Sequence, residues 1–280
     1  MFAVLGGAFL LVNYLRLSTA VLADRLARSF DATAAELGTL HAAFFYVYAP
    51  LQIVAGVLAD RAGIRWTAAV GTVVMSIGGV LFAVAPLFPA AFAARLLVGL
   101  GGSVVFIATL RFCANWFRPD EFATMSGVTI AIAGLGGIIA TTPLALLVER
   151  TGWQTAMLGL GLIGLVMGVI VAVAARDSPA DAGLPAIEGV PSAETLSLSK
   201  VVTNAKRVLG GADTWLVGIV LFCEIGVNLT VIGLWGVPYM VQNYPNVGVT
   251  EASTYALVGS VGLLLGPPLI GRLSDRLERR

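Results

Sequence analysis

The chain has 280 residues, 58% of them hydrophobic and 12% charged, with a formal net charge of +1 and a mean hydropathy of +0.91. A soluble domain carries about 25% charged residues, so half the charge needed for a water-facing surface is missing and lipid is the expected solvent. The balanced charge gives no ground for a nucleic-acid partner, and Cys113 and Cys223, in or beside apolar runs, form neither a disulfide framework nor a metal site.

A membrane span needs about 20 apolar residues. Eight segments qualify: residues 2–23, 37–58, 67–86, 89–111, 123–147, 153–174, 214–240 and 252–271. The first lacks a basic leader and a small-residue cleavage pattern, so it reads as a membrane helix and not as a signal peptide. Short connections make neighbouring helices antiparallel. Residues 175–213 differ, being rich in Pro, Ala, Ser and charge, and 196–209 carry the pattern of an amphipathic surface helix. The expected fold is an all-α membrane protein. Its expected parts are a six-helix N-terminal bundle over 1–174, a linker over 175–213 and two helices of a partial C-terminal bundle over 214–280.

Orientation follows from Lys and Arg. With the N-terminus inside, the inner loops hold Arg61, Arg65, Arg111, Arg118, Arg176, Lys200, Lys206, Arg207, Arg272, Arg276, Arg279 and Arg280, and the outer loops hold Arg25, Arg28 and Arg150. This bias predicts a multi-pass inner (plasma) membrane protein with a cytoplasmic N-terminus and a cytoplasmic linker.

Charge inside a span is costly and marks function by default. In the first helix, Arg16 lies about 21 Å along the axis at ~1.5 Å per residue, close to Asn13. The second helix begins with His41, expected to be interfacial, and carries Tyr46, Tyr48 and Gln52 deeper in. Tyr46 is the cavity candidate among them. Arg95, about 10 Å from the outer end of the fourth helix, matches Arg16 in depth. Two guanidinium groups at one depth suit a carboxylate or phosphate, because each offers forked donors. The alternatives are snorkelling for Arg16, and for Arg95 a structural or coupling role, bonding helix carbonyls of its own bundle. In the seventh helix, Glu224 lies near the midplane, where burial raises a carboxyl's affinity for protons. An ion pair or a neutral, hydrogen-bonded carboxyl is the other reading. Asn228 lies one turn on, and Trp235 near the outer end reads as an interfacial anchor or an outer gate.

Between the second and third spans runs Gly56-Val57-Leu58-Ala59-Asp60-Arg61-Ala62-Gly63-Ile64-Arg65-Trp66, and it has an echo at Gly271-Arg272-Leu273-Ser274-Asp275-Arg276. An offset of 215 residues pairs Gly56 with Gly271, Asp60 with Asp275, Arg61 with Arg276, and Asn13 with Asn228. The echo has Glu278 where the first copy has Gly63. Glycines crowd the fourth, fifth and sixth spans, where small residues let helices approach closely.

At these residues the sequence resembles the major facilitator superfamily of secondary transporters. The first loop follows that family's Gly-x-x-x-Asp-Arg-x-Gly-x-Arg pattern. Arg95-Leu96-Leu97-Val98-Gly99-Leu100-Gly101 follows its Arg-x-x-x-Gly-x-Gly stretch in the fourth helix. The resemblance spans the whole chain. It implies alternating access between two bundles, with Gly56, Asp60, Arg61, Gly63 and Arg65 and the echo Asp275 and Arg276 as a conformational latch. It also implies a central cavity lined by helices one and four. Arg16, Arg95, Asn13, Tyr46, Asn228 and Trp235 are then the expected substrate residues, and Glu224 with Arg95 the proton-coupling pair. Family members have twelve helices, so a chain of eight is expected to be a truncated transporter whose missing C-terminal helices are partners.

The expected cargo is a small organic anion moved with protons across the bilayer. One alternative is export of drugs or amphiphiles. The fifth span counts against it, reading Gly136-Gly137-Ile138-Ile139-Ala140-Thr141-Thr142-Pro143 in place of the Gly-Pro-x-x-Gly-Gly pattern of drug antiporters. The other is a truncated membrane module without transport of its own. No phosphate-binding loop, zinc site or nucleophile with its base is present, so neither an enzyme nor a cofactor is expected.

Overall fold

The computed structural model describes residues 1–185, 203, 207–230, 239–240, 243–244, 246 and 249–277. Trp235, Glu278, Arg279, Arg280 and most of 196–209 lie outside the described residues, as does the side chain of Asn228. Among the described residues all regular structure is helical.

Helix α1 spans Phe2–Val21, and α2, Ala23–Phe30, ends at Asp31 in the left-handed region (φ 49°). Helix α3, Ala34–Ala83, opens on a capping box. Thr33 Oγ1 accepts from the Glu36 N–H at 3.3 Å, and a Glu36 carboxylate oxygen accepts from the Thr33 N–H at 2.8 Å, so two end donors are satisfied reciprocally. Two expected spans run together in α3, separated by Gly63 alone, whose φ of 80° and ψ of 163° are non-helical. Helix α4 is Phe88–Trp116. The expected span 123–147 is two helices, α5 Phe122–Ile139 and α6 Thr142–Thr151. Thr141 has non-helical angles there, and Pro143 sits in the first turn of α6, where its missing N–H costs nothing. Helix α7 covers Trp153–Ala174, α8 Ala212–Thr230 and α9 Val249–Arg276.

Five helical stretches among the described residues are long and apolar enough to cross a membrane: Phe2–Val21, Val54–Ala83, Phe88–Trp116, Pro119–Thr151 and Trp153–Ala174. Two compact units form, Met1–Glu194 with Pro267–Arg280, and Thr195–Gly266.

In the first unit α3 packs on α4 and α7, and α1 lies against α4 and α5. Lipid supplies no hydrophobic drive between helices, so close packing through small residues holds them. A Cβ on Gly101 would strike the Gly71 carbonyl, and one on Gly136 would lie 2.5 Å from the Leu10 carbonyl. Aromatic pairs fill the remaining space: Phe9 stacks on Phe106 at 5.0 Å and Phe44 on Tyr48 at 4.9 Å. Large apolar side chains such as Leu162, Val166 and Val173 on α7 face outward, as a lipid-facing surface requires.

Candidate anion-binding site

Arg95 is 1% exposed. Its Nη1 donates to the Leu15 carbonyl at 2.6 Å, and its Nη2 donates to the Arg16 carbonyl at 3.2 Å and to Thr19 Oγ1 at 3.4 Å. The guanidinium carbon stands 5.8 Å from the Phe44 ring centre and 6.0 Å from that of Phe82, at the outer range of cation–π attraction. Most of its donors are therefore committed to α1. Arg95 ties α4 to the α1 backbone at the residue whose side chain is Arg16.

The Nε of Arg16 is buried and has no hydrogen-bond partner, and neither has the Nε of Arg95; the two differ in that the terminal nitrogens of Arg95 are bonded to α1. No carboxylate among the described residues pairs with either. Tyr48 of α3 lies in the field of Arg16 and sits against Gln52. A buried unpaired donor costs about 1–3 kcal/mol, so the free Nε of an uncompensated cation, with Tyr48 in its field and Gln52 against Tyr48, forms a place for an acceptor that carries negative charge.

Tyr48 and Gln52 are the residues that the sequence expectation left aside. Phe44, Tyr48 and Gln52 recur every four residues, and that spacing puts them on one face of α3. Tyr46, expected in the cavity, is 58% exposed on another face. Asn13 is buried, donates through Nδ2 to the Phe9 carbonyl at 3.0 Å, and meets Gly136 of α5. Glu224, in the second unit, is exposed. His41, expected at the interface, brings Nδ1 to 2.9 Å from Thr19 Oγ1.

The charged loop bonds within the first unit. Asp60 pairs with Arg111 of α4 at 2.9 Å, whereas Arg61 is exposed and Gly56 has open space around it. The Arg65 N–H donates to Asp177 Oδ1 at 2.8 Å, and its Nε donates to the Ala172 carbonyl at 2.5 Å. The echo meets α5: Asp275 accepts from the Ala123 N–H at 3.2 Å and from the Thr124 N–H and Oγ1 at 2.7 Å each. Arg276, with Arg272, lines a recess there beside Asp120, Glu121 and Asp275, a mixed set of charges that gives an anion no preference.

The sequence profile of the Major Facilitator Superfamily matches residues 3–280. The chain belongs to the major facilitator superfamily. It is 26% identical over 270 residues to a probable sulfoacetate transporter of Cupriavidus necator, covering 95% of this chain and 62% of that protein. It is 24% identical over 265 residues to a probable hexose phosphate transport protein of Chlamydia trachomatis, covering 88% of this chain and 57% of the relative. A hexuronate transporter of Bacillus subtilis is 28% identical over 160 residues, 57% of this chain and 38% of that one. The chain thus spans less than two thirds of the length of these relatives. Among solved structures, the superfamily member FucP in its outward conformation superposes with a TM-score of 0.72 at 17% identity, over 98% of this chain and 71% of FucP. The proton:xylose symporter XylE gives 0.62 at 14% identity, over 98% and 68%. These superpositions establish the superfamily fold, an all-α transmembrane bundle.

Proposed function

We propose that the protein belongs to an alternating-access transporter of small organic anions, with Arg16 as the residue that holds the substrate's negative charge. The observation that carries this reading is the buried, unpartnered Nε of Arg16, which has Tyr48 in its field and no carboxylate paired with it among the described residues; Gln52 lies against Tyr48. A guanidinium without a carboxylate in low dielectric gains from an anion and little from a neutral sugar. The names of the relatives agree: sulfoacetate, hexose phosphates and hexuronates are all small organic anions. Arg95 acts in this reading by positioning α1, and Asn13 by packing it against α5.

The proposed driving force is a proton gradient, with Glu224 the carboxylate of α8 that loads and releases the proton. The proposed setting is the inner membrane, N-terminus cytoplasmic, with the Asp60 and Asp275 loops on the cytoplasmic side as the latch between conformations.

The test is ligand-induced thermal stabilisation of the purified chain with sulfoacetate, glucose 6-phosphate and glucuronate. At least one anion is expected to raise the unfolding temperature, and Arg16→Gln is expected to abolish that rise. Stabilisation that survives Arg16→Gln at unchanged affinity rules the assignment out. Liposome uptake under an imposed pH gradient that is unaffected by Glu224→Gln removes the coupling role of that residue.

A further inference from the structure

His41 lies in the second turn of α3, partly exposed, with Nδ1 2.9 Å from the hydroxyl of Thr19 on α1. The same hydroxyl accepts from Arg95 Nη2 at 3.4 Å, and that Nη2 also donates to the backbone of Arg16 at 3.2 Å. Four residues on three helices are thus joined in one line. We infer that His41 is a proton-binding site coupled through Thr19 and Arg95 to the anion site at Arg16. The inference rests on the anion-binding reading above and extends it to a residue with no role there.

Arg95 has donors only, so Thr19 Oγ1 accepts from it. In the proposed ligand-free arrangement the Thr19 hydroxyl hydrogen points to His41 Nδ1, and neutral His41 carries its hydrogen on Nε2. A proton taken from solution binds the Nδ1 lone pair. The Thr19 O–H must then rotate away, leaving Oγ1 to accept from both Arg95 and His41. No covalent bond in the protein breaks, and loss of the proton from Nδ1 to solution restores the first arrangement.

Charge gives this change its consequence. The charged groups whose fields reach the imidazole are Arg95 from α4 and Arg16 from α1, both cations. On its own helix, Glu36 is engaged by Thr33. Helix α2, with Asp24, Arg25 and Arg28, also packs on α3 and is followed by Asp31; the named charge effects on the ring come from Arg95 and Arg16. Protonated His41 is therefore a third cation near two others, with no carboxylate paired with Arg16 or Arg95 among the described residues. An anion at Arg16 relieves that repulsion, so proton and anion each favour binding of the other, and linkage makes the effect reciprocal.

His41 is the single histidine of the chain, so its ring can be followed alone by NMR on histidine-labelled protein. Without ligand, the neutral ring is expected as the Nε2–H form, and Thr19→Val is expected to shift the titration midpoint while Thr19→Ser leaves it near the wild-type value. Sulfoacetate is the probe for coupling, because its sulfonate and carboxylate both stay ionised near neutral pH. It is expected to move the His41 midpoint to higher pH by about one unit, a tenfold coupling within the usual range, and Arg16→Gln is expected to cancel that movement. A neutral Nδ1–H form, or a midpoint indifferent to Thr19→Val, overturns the inference, and so does sulfoacetate binding that leaves the midpoint in place. Failure of all three anions to bind counts against the anion-binding reading instead, and the ligand-free measurements still decide the bond from His41 to Thr19.

Discussion

A Cβ placed on Gly63 would lie 2.5 Å from Asp177 Oδ2. The turn inside α3 closes over the carboxylate that follows α7, and the same carboxylate accepts from the Arg65 N–H at 2.8 Å, in the first turn after the break. Gly63 has φ 80° and ψ 163°, a region open essentially to glycine. Gly63→Ala therefore adds strain of about 1–3 kcal/mol and a collision. Asp177→Ala removes the collision partner and one hydrogen bond, about 1 kcal/mol. Thermal unfolding of the double variant is expected to show less destabilisation than the sum of the singles, as for any pair in contact. Strict additivity would mean that the two residues do not meet.

Asp275 is the acceptor for the first N–H groups of α5. Negative charge is favoured at a helix N-terminus, and losing such a cap costs about 0.5–2 kcal/mol. Asp275→Ala is expected to lower the unfolding temperature and to speed hydrogen exchange at the Ala123 and Thr124 amides. Asp275→Asn, which keeps one acceptor oxygen without the charge, should fall between. Exchange at those amides that is unchanged in Asp275→Ala would show that the contact does not hold α5.

Arg16, Arg95 and the two charged loops were legible in the sequence because a charge in an apolar run, or a turn repeated at a fixed offset, stands out without knowledge of packing. Tyr48 and Gln52 did not stand out. A helix surrounded by lipid and other helices is apolar on every side, so the hydrophobic pattern that orients a soluble helix is weak. Tyr46 and Tyr48, two residues apart, point in widely different directions, and the choice between them needs the position of Arg16 on a neighbouring helix. The Gly63–Asp177 contact bridges a long stretch of chain, and no local rule reaches across it. The break between α5 and α6 did leave a trace, since Thr141-Thr142-Pro143 is a helix-start pattern, but it is hidden within an otherwise continuous apolar run.

Arg95→Lys tests whether the fork of Arg95 matters or only its charge. The guanidinium reaches the Leu15 and Arg16 carbonyls and the Thr19 hydroxyl together. An ammonium is a point charge on a flexible stem and cannot reproduce that planar geometry. Both Arg95→Ala and Arg95→Lys are expected to lower stability, by about 1.5–3 kcal/mol for each hydrogen bond to the charged group that is lost, with lysine recovering less than half of the loss. Full recovery by lysine would reduce Arg95 to a simple charge.

Glu36 provides a pH test outside the spans. The Thr33 N–H, and then its hydroxyl, donate to the Glu36 carboxylate and hold its pKa below the ordinary value against the small opposing effect of desolvation. A depressed carboxyl contributes stability above its unfolded pKa and loses it as pH falls through the folded one. Protection of the Thr33 and Glu36 amides, measured against the intrinsic exchange rate at each pH, is therefore expected to be high near neutral pH and to fall below about pH 4. Glu36→Gln should exchange faster at neutral pH and lose the acid-dependent step. A step that persists in Glu36→Gln would assign it to another group.

Gln52→Glu discriminates most sharply between an anion site and a chance arrangement of polar atoms. The new carboxylate would stand against Tyr48, in whose field Arg16 lies with its Nε unpartnered. Opposite charges in each other's field favour each other's ionised forms, so the glutamate would take the place of the substrate's negative charge. Binding of sulfoacetate, glucose 6-phosphate or glucuronate is expected to weaken by more than about tenfold, roughly 1.4 kcal/mol, while the ligand-free unfolding temperature holds or rises. Tyr48→Phe removes one hydroxyl, about 1 kcal/mol, and should weaken the same anion about fivefold. If Gln52→Glu bound the anion as tightly as the wild type, Arg16 and Gln52 would not share a ligand, and the site would have to be sought elsewhere on α1.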